Sequence, residues 1–292
     1  WMLFMTEFWE RFAFYSVSWA LALYIVQQFY HGDPSGQAWA SGIFGAYTAL
    51  IYGTCIFGGW VADRVIGYQR TILLGALVMA AGLFVLMLPS RAMLLLGLAL
   101  VIAGDGLFKP NISTMVGQLY GRDDPRRDRG FTLFYMGINA GALVAPLLTG
   151  WMAAHFTATP MQQNFRLVFA AAGVGMLISL LWFWFGRRQL KHVGRPAPGA
   201  EGLARVAWVL LGIIVSVPLV FLLLSRVGAT GLQWLLGLLF VVVAAMLLVE
   251  AARHGRVQVH RVIAMLIIFA FNILFWMFYY QLGTSFNFLA EN

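Results

Sequence analysis

Nine runs of about 20 mostly apolar residues, each long enough to cross a bilayer core as a helix, follow one another along this 292-residue chain. They read as spans at 3–28, 39–61, 70–88, 92–117, 131–154, 166–185, 205–224, 232–250 and 262–289. Between them stand "YHGDPSGQ", "GRDDPRRDRG", "GRRQLKHVGRPAPGAEG" and "EAARHGRVQVHR", the glycine, proline and charge clusters that mark loops. The chain is 61% hydrophobic and 10% charged, where a soluble domain carries about 25% charged residues. The expected fold class is an all-α membrane protein that crosses the bilayer many times. The first run is too long and too charged for a cleavable signal. Cys55, the single cysteine, lies in an apolar run, which leaves no intrachain disulfide.

A net charge of +8 invites a nucleic-acid reading, but the placement of the cations excludes it. Alternate loops put Arg64, Arg70, Arg122, Arg126, Arg127, Arg129, Arg187, Arg188, Lys191, Arg195, Arg205, Arg253, Arg256 and Arg261 on one side. Arg91, Arg166 and Arg226 fall on the other. The rich side is cytoplasmic by the positive-inside rule, so the N-terminus is expected inside the cell.

Arg11 and Lys109 remain, the two cations placed at membrane depth. Ionisable groups there face a cavity or a partner and mark a pathway, a site or a structural ion pair. "FMTEFWERFAFY" (4–15) adds Glu7 and Glu10. Residues three and four apart share a helix face, so Glu7 lies beside Glu10 and Arg11, and Arg11 beside Tyr15. Burial disfavours the charged form of a carboxyl while a neighbouring guanidinium favours it. Such a cluster suits proton exchange, and the guanidinium fork suits a substrate carboxylate.

"EFWERFAFY" resembles the ExxERFxYY motif of the proton-dependent oligopeptide transporters (the POT, or PTR, family) of the major facilitator superfamily. Glu7, Glu10, Arg11, Phe12 and Tyr15 match, and Phe14 stands where the motif has its first tyrosine. "GGWVADRVIGYQR" (58–70), "GDGLFKPNIS" (104–113) and "FYMGINAGALVAP" (134–146) are similar to further blocks of the family, in the same order. The resemblance covers the chain as far as its seventh family helix. It implies a facilitator fold of two six-helix halves with substrate between them near the bilayer centre. It also implies proton-coupled symport of di- and tripeptides, with no cofactor, no metal and no enzymatic activity.

On this reading residues 1–190 form the N-terminal six-helix bundle. Residues 191–255 are a linker with two inserted transmembrane helices, and 256–292 are helix 7, the start of the C-terminal bundle. The sequence stops there, and is expected to be part of a longer chain. By resemblance Lys109 belongs to peptide binding and proton coupling, Asn139 to the peptide backbone, and Tyr15 and Tyr52 to the substrate site. Helix 7 carries Tyr280 before Gln281, where relatives commonly have a glutamate. Lys109 then lacks its usual counter-charge. Asp105, four residues earlier, is expected to pair with Lys109 on the same helix and to take over part of helix 7's role in proton coupling, the alternative being a bond to a neighbouring helix. Tyr280 is counted with the substrate-binding residues.

Pro110 should bend its helix, and Gly104 and Gly106 should open space around Lys109. Gly58 and Gly59 permit close helix approach. Asp63, Arg64 and Arg70 form a tight turn, able to pair at the membrane edge as gate latches. A monomer in the bacterial inner membrane is expected, its partners peptides, protons and lipid. The alternatives are a facilitator for another small zwitterion or anion, a channel, or an intramembrane protease. The protease reading fails on placement, since His31, His155, His192, His254 and His260 fall in loops or at span edges.

Overall fold

The computed structural model describes residues 1–121, 123–157, 163–190, 192–196 and 202–291; Arg122 and Lys191, both assigned above to the basic side, lie outside them. Nine helices among the described residues are long and apolar enough to cross a membrane. They are α1 (Met2–Tyr30), α2 (Gln37–Val61), α3 (Tyr68–Val85), α4 (Arg91–Gln118), α5 (Arg126–His155), α6 (Phe165–Gly186), α7 (Leu203–Leu222), α8 (Gly228–Arg253) and α9 (Arg256–Tyr279), followed by a short α10 (Ser285–Glu291). Side-chain caps set several ends: Ser90 accepts from the Met93 amide and Asn164 from the Leu167 amide, both at 3.3 Å.

The first six helices pack into one bundle, with α1 against α5 and α6, and α4 between α2 and α3. Helix α7 lies along α4, and α8 touches α2 and α9. In lipid, helices gain little by hiding apolar surface, so close backbone approach at small residues carries the packing. Gly75 sits on the Gly104 carbonyl and Gly82 on that of Gly97; a Cβ at either would come within 2.6 or 2.7 Å of that oxygen. Across α1 and α5, Gly137 and Gly141 close on the Phe4 and Phe8 carbonyls in the same manner, at 2.9 and 2.6 Å.

Two expectations change. Helix α4 runs from Arg91 to Gln118 as one α-helix with Pro110 inside it. Proline leaves the carbonyl four residues earlier, Gly106, without its helical donor. The backbone of Gly58 closes on that carbonyl so tightly that a Cβ would come within 1.8 Å of it. Asn111 donates to the carbonyls of Gly58 (3.0 Å) and Leu107 (2.7 Å), and Thr54 donates to that of Ile102 at 3.1 Å. Gly104 and Gly106 therefore serve helix contact and do not open space around Lys109.

The last span is also not one helix. A 3₁₀ turn at Tyr280–Gly283 separates α9 from α10. Gly283 packs under the Phe44 ring, where a Cβ would come within 2.4 Å. Asn287 of α10 then donates to the Trp19 carbonyl at 2.6 Å. The break sits at the height of α1's polar residues, because α10 is tied to α1 one turn beyond Tyr15.

At the α2–α3 turn, Asp63 accepts the Tyr68 phenol and Arg205 Nη1 donates to the Arg64 carbonyl at 3.5 Å. Arg70 lies in the first turn of α3. Gly67 takes φ 77° there, and the linker is stitched to the turn by Gln69, whose amides reach the Gly194 carbonyl (2.9 Å) and the Val193 carbonyl (2.7 Å). On the opposite side, the Arg91 guanidinium lies 5.1–5.8 Å from the ring centres of Phe29, Tyr30 and Trp39.

Candidate substrate and proton site

Helix α1 carries its charges inward because small and apolar residues on its other faces meet α5 and α6. Gly141 of α5 approaches so closely that a Cβ there would come within 2.9 Å of Arg11 Cβ. Glu7, Glu10, Arg11 and Asp105 are all buried. Arg11 forks onto Glu10, with Nε to Oε2 at 2.5 Å and Nη2 to Oε1 at 2.6 Å. Glu7 Oε1 stands 3.3 Å from Arg11 Nε, and Asp105 Oδ1 stands 3.6 Å from Nη2. One guanidinium thus holds three carboxyl groups from two helices.

The fork goes to the sequence neighbour, Glu10, and not to Glu7 one turn away. Neighbours do not share a helix face, but the long glutamate side chain folds back along the guanidinium edge. The expected pairing of Asp105 with Lys109 is not what forms: Asp105 turns to α1 and stands by Arg11, because α1 presents a guanidinium to that face of α4. Among the described residues it makes no ion pair with Lys109, and neither of its oxygens has a hydrogen-bond partner. Lys109 Nζ likewise lacks one; it lies 3.9 Å over the Tyr52 ring and 5.4 Å over the Phe14 ring.

Beside this cluster is a cavity of about 170 Å³. Arg11, Tyr15, Tyr52 and Tyr280 line it, together with Trp276 and Tyr279 of α9. The Tyr280 hydroxyl donates to that of Tyr52 at 3.0 Å, and the Trp276 and Tyr280 rings stack at 5.4 Å. Lys109 stands next to this wall, behind Tyr52, and does not line it. Asn139 is exposed on α5, its amide donating to the Tyr135 carbonyl at 2.8 Å. Phe14 was not foreseen as a functional residue, yet its ring underlies both deep cations, with the Arg11 guanidinium at 4.7 Å. Its position three residues after Arg11 is the signal. Trp276 and Tyr279 were also missed, although their three-residue spacing puts both on the face that carries Tyr280.

The fold and the cluster together describe a multi-span helical membrane protein of the facilitator type with a charged site at membrane depth. The POT family (PTR2) matches residues 69–292. The chain is 41% identical over 210 residues to a di-/tripeptide transporter of Lactococcus lactis subsp. lactis, covering 70% of this chain and 41% of that protein. It is 33% identical over 293 residues to dipeptide and tripeptide permease A of Citrobacter koseri, covering 99% of this chain and 56% of the permease. The crystal structure of a peptide transporter POT in complex with sulfate superposes with a TM-score of 0.77 at 34% identity, over 97% of this chain and 59% of that one. The chain belongs to the POT family and has the major facilitator superfamily fold. It spans about half the length of the curated relatives it matches.

Proposed function

We propose that the protein carries di- and tripeptides into the cell together with protons, by alternating access, as a transporter and not an enzyme. The observation that carries this reading is the placement of Arg11, at once a wall residue of an aromatic cavity and the centre of three buried carboxyl groups. Three buried anions around one cation are strongly disfavoured, so the cluster is a store for a proton. A peptide carboxylate and the Glu10 carboxylate compete for the same guanidinium fork. Protonation of Glu10 removes the competitor and releases the fork toward the cavity. Glu7 and Asp105 keep the guanidinium in place when the fork opens, and Lys109 adds positive potential through the Tyr52 ring. Tyr15, Tyr52 and Tyr280 bound the peptide side chains; Asn139 serves the peptide backbone from α5.

Residues 1–190, 191–255 and 256–292 act as bundle, inserted pair and first helix of the second bundle. Asp63, Arg64 and Arg70 form the gate turn, whose tie to the linker supports that role. The distribution of arginines supports a cytoplasmic N-terminus in the bacterial inner membrane. A monomer is the working unit of this proposal. A second reading, transport of another small zwitterion or anion, follows from the cavity wall. The Arg11 guanidinium in that wall would hold any small carboxylate or other anion, peptide or not. Uptake of labelled dialanine into proteoliposomes under an inward proton gradient tests the proposal. Competition by tripeptides but not by single amino acids is expected. Uptake indifferent to the proton gradient refutes it.

A further inference from the structure

On the opposite face of α2 from Tyr52 runs a second groove, of about 380 Å³, between α2, α4 and α7. Its lining shares no residue with the aromatic cavity. Phe57, Trp60, Val61, Leu107, Trp208 and Ile213 make most of its walls. Its two hydroxyls are spent internally: Thr54 donates to the Ile102 carbonyl and Ser216 to the Ile213 carbonyl. The groove is therefore apolar, and its rim residues Phe57, Trp60 and Trp208 are exposed among the described residues.

Its length and its ends identify an occupant. Along α7 the lining extends from Trp208 to Val220, a rise of about 18 Å at about 1.5 Å per residue. Half of a hydrocarbon core is about 15 Å, so the groove matches the acyl chain of one leaflet. Arg205 lies one turn before Trp208, and Arg64 precedes the lining residue Val65. Both arginines are exposed, and Arg205 donates to the Arg64 carbonyl, which keeps the two side by side. The linker backbone at Arg195 crosses Gly67 within 2.8 Å of where a Cβ would stand. The acid of this turn, Asp63, holds the Tyr68 phenol. One end of an apolar groove thus lies beside Arg64 and Arg205, and the linker backbone at Arg195 passes the same turn.

We propose that this groove is a binding site for an anionic phospholipid, with its phosphate on Arg64 and Arg205 and one acyl chain along α7. Basic pockets between transmembrane helices recognise anionic headgroups in this way. The inserted helix α7 then has a use of its own: it forms the wall against which the lipid chain lies. The lipid belongs to the cytoplasmic leaflet under the orientation proposed above, but the binding test does not depend on that orientation.

The protein is placed in phosphatidylcholine nanodiscs, and phosphatidylglycerol or phosphatidylcholine with dibrominated acyl chains is titrated in. The difference in tryptophan quenching between wild type and Trp208→Phe isolates the groove. Half-maximal quenching of Trp208 is expected at a several-fold lower mole fraction of the brominated phosphatidylglycerol. Arg205→Gln and Arg64→Gln should each raise that mole fraction about fivefold, and 1 M salt, at a Debye length of about 3 Å, should narrow the preference. Equal quenching by the two brominated lipids in wild type, or a preference unchanged in the Arg64→Gln, Arg205→Gln double variant, overturns the proposal. Should the double variant not fold, the wild-type comparison and its salt dependence decide alone.

Discussion

Glu10→Gln tests the competition for Arg11 most directly. Glu10 takes the Nε–Nη2 edge of the guanidinium, at 2.5 and 2.6 Å. Hydrogen bonds to charged groups contribute about 1.5–3 kcal/mol each, neutral ones about 0.5–1.5 kcal/mol. Glutamine keeps one neutral acceptor, so opening the fork becomes easier by about 2 kcal/mol on the low side of these values, near thirtyfold in affinity. Peptide Kd at neutral pH, measured by calorimetry or thermal shift, should therefore fall about thirtyfold in the variant. In wild type the affinity should tighten as pH falls, because Glu10 must take up its proton before the fork is free. In Glu10→Gln that pH dependence should flatten. Uphill accumulation should be lost, while exchange of labelled for unlabelled peptide, which needs no net proton movement, survives. A Kd that is unchanged or weaker, and still pH-dependent, refutes the competition mechanism.

Arg11→Lys removes the fork, and the loss of one charge-assisted hydrogen bond of about 1.5–3 kcal/mol should raise the KM for dipeptides about ten- to hundredfold, with membrane insertion retained on a western blot. Gly58→Val places a side chain where the Gly106 carbonyl already stands, and the forced separation of α2 and α4 should cost about 2–3 kcal/mol, read as a lowered melting temperature in detergent. Arg91→Ala empties the aromatic cage between α1, α2 and α4; with Arg91 exposed, the same assay should show a loss of about 0.5–1 kcal/mol, with transport per folded molecule unchanged. In the loop before α5, the Arg126 side chain and backbone amide hold Asp124 down to about 2. A depressed acid stabilises above its unfolded value of about 3.9 and loses that support as pH falls through the folded one. The first turn of α5 should therefore exchange its amides slowly at about pH 5 and fray toward about pH 2, and Asp124→Ala should fray at both.

The number and order of the spans were legible in the sequence because each must be apolar over most of its length, a property of local composition. The cluster of Glu7, Glu10 and Arg11 was legible for the complementary reason, since charges in an apolar run must have a use. Helical spacing alone put Glu7 beside Arg11, and the resemblance to the POT family supplied the candidate roles of Lys109 and Asn139. Spacing did not show the fork on Glu10, since that depends on how two long side chains fold within the space that Gly141 leaves.

Three features needed the tertiary structure. Whether Asp105 served Lys109 or Arg11 turned on which helix lay opposite α4, and α1 lies there. Whether Gly104 and Gly106 opened space around Lys109 turned on what packs against them, and Gly75 and Thr54 close on them. Whether the last span ended at Tyr280 turned on Phe44 and Trp19, which hold Gly283 and Asn287. Composition and periodicity describe a helix against an averaged surrounding, lipid on one face and protein on another. The partner of each polar group is set by contacts between residues far apart in the chain, and those exist only once the helices have packed.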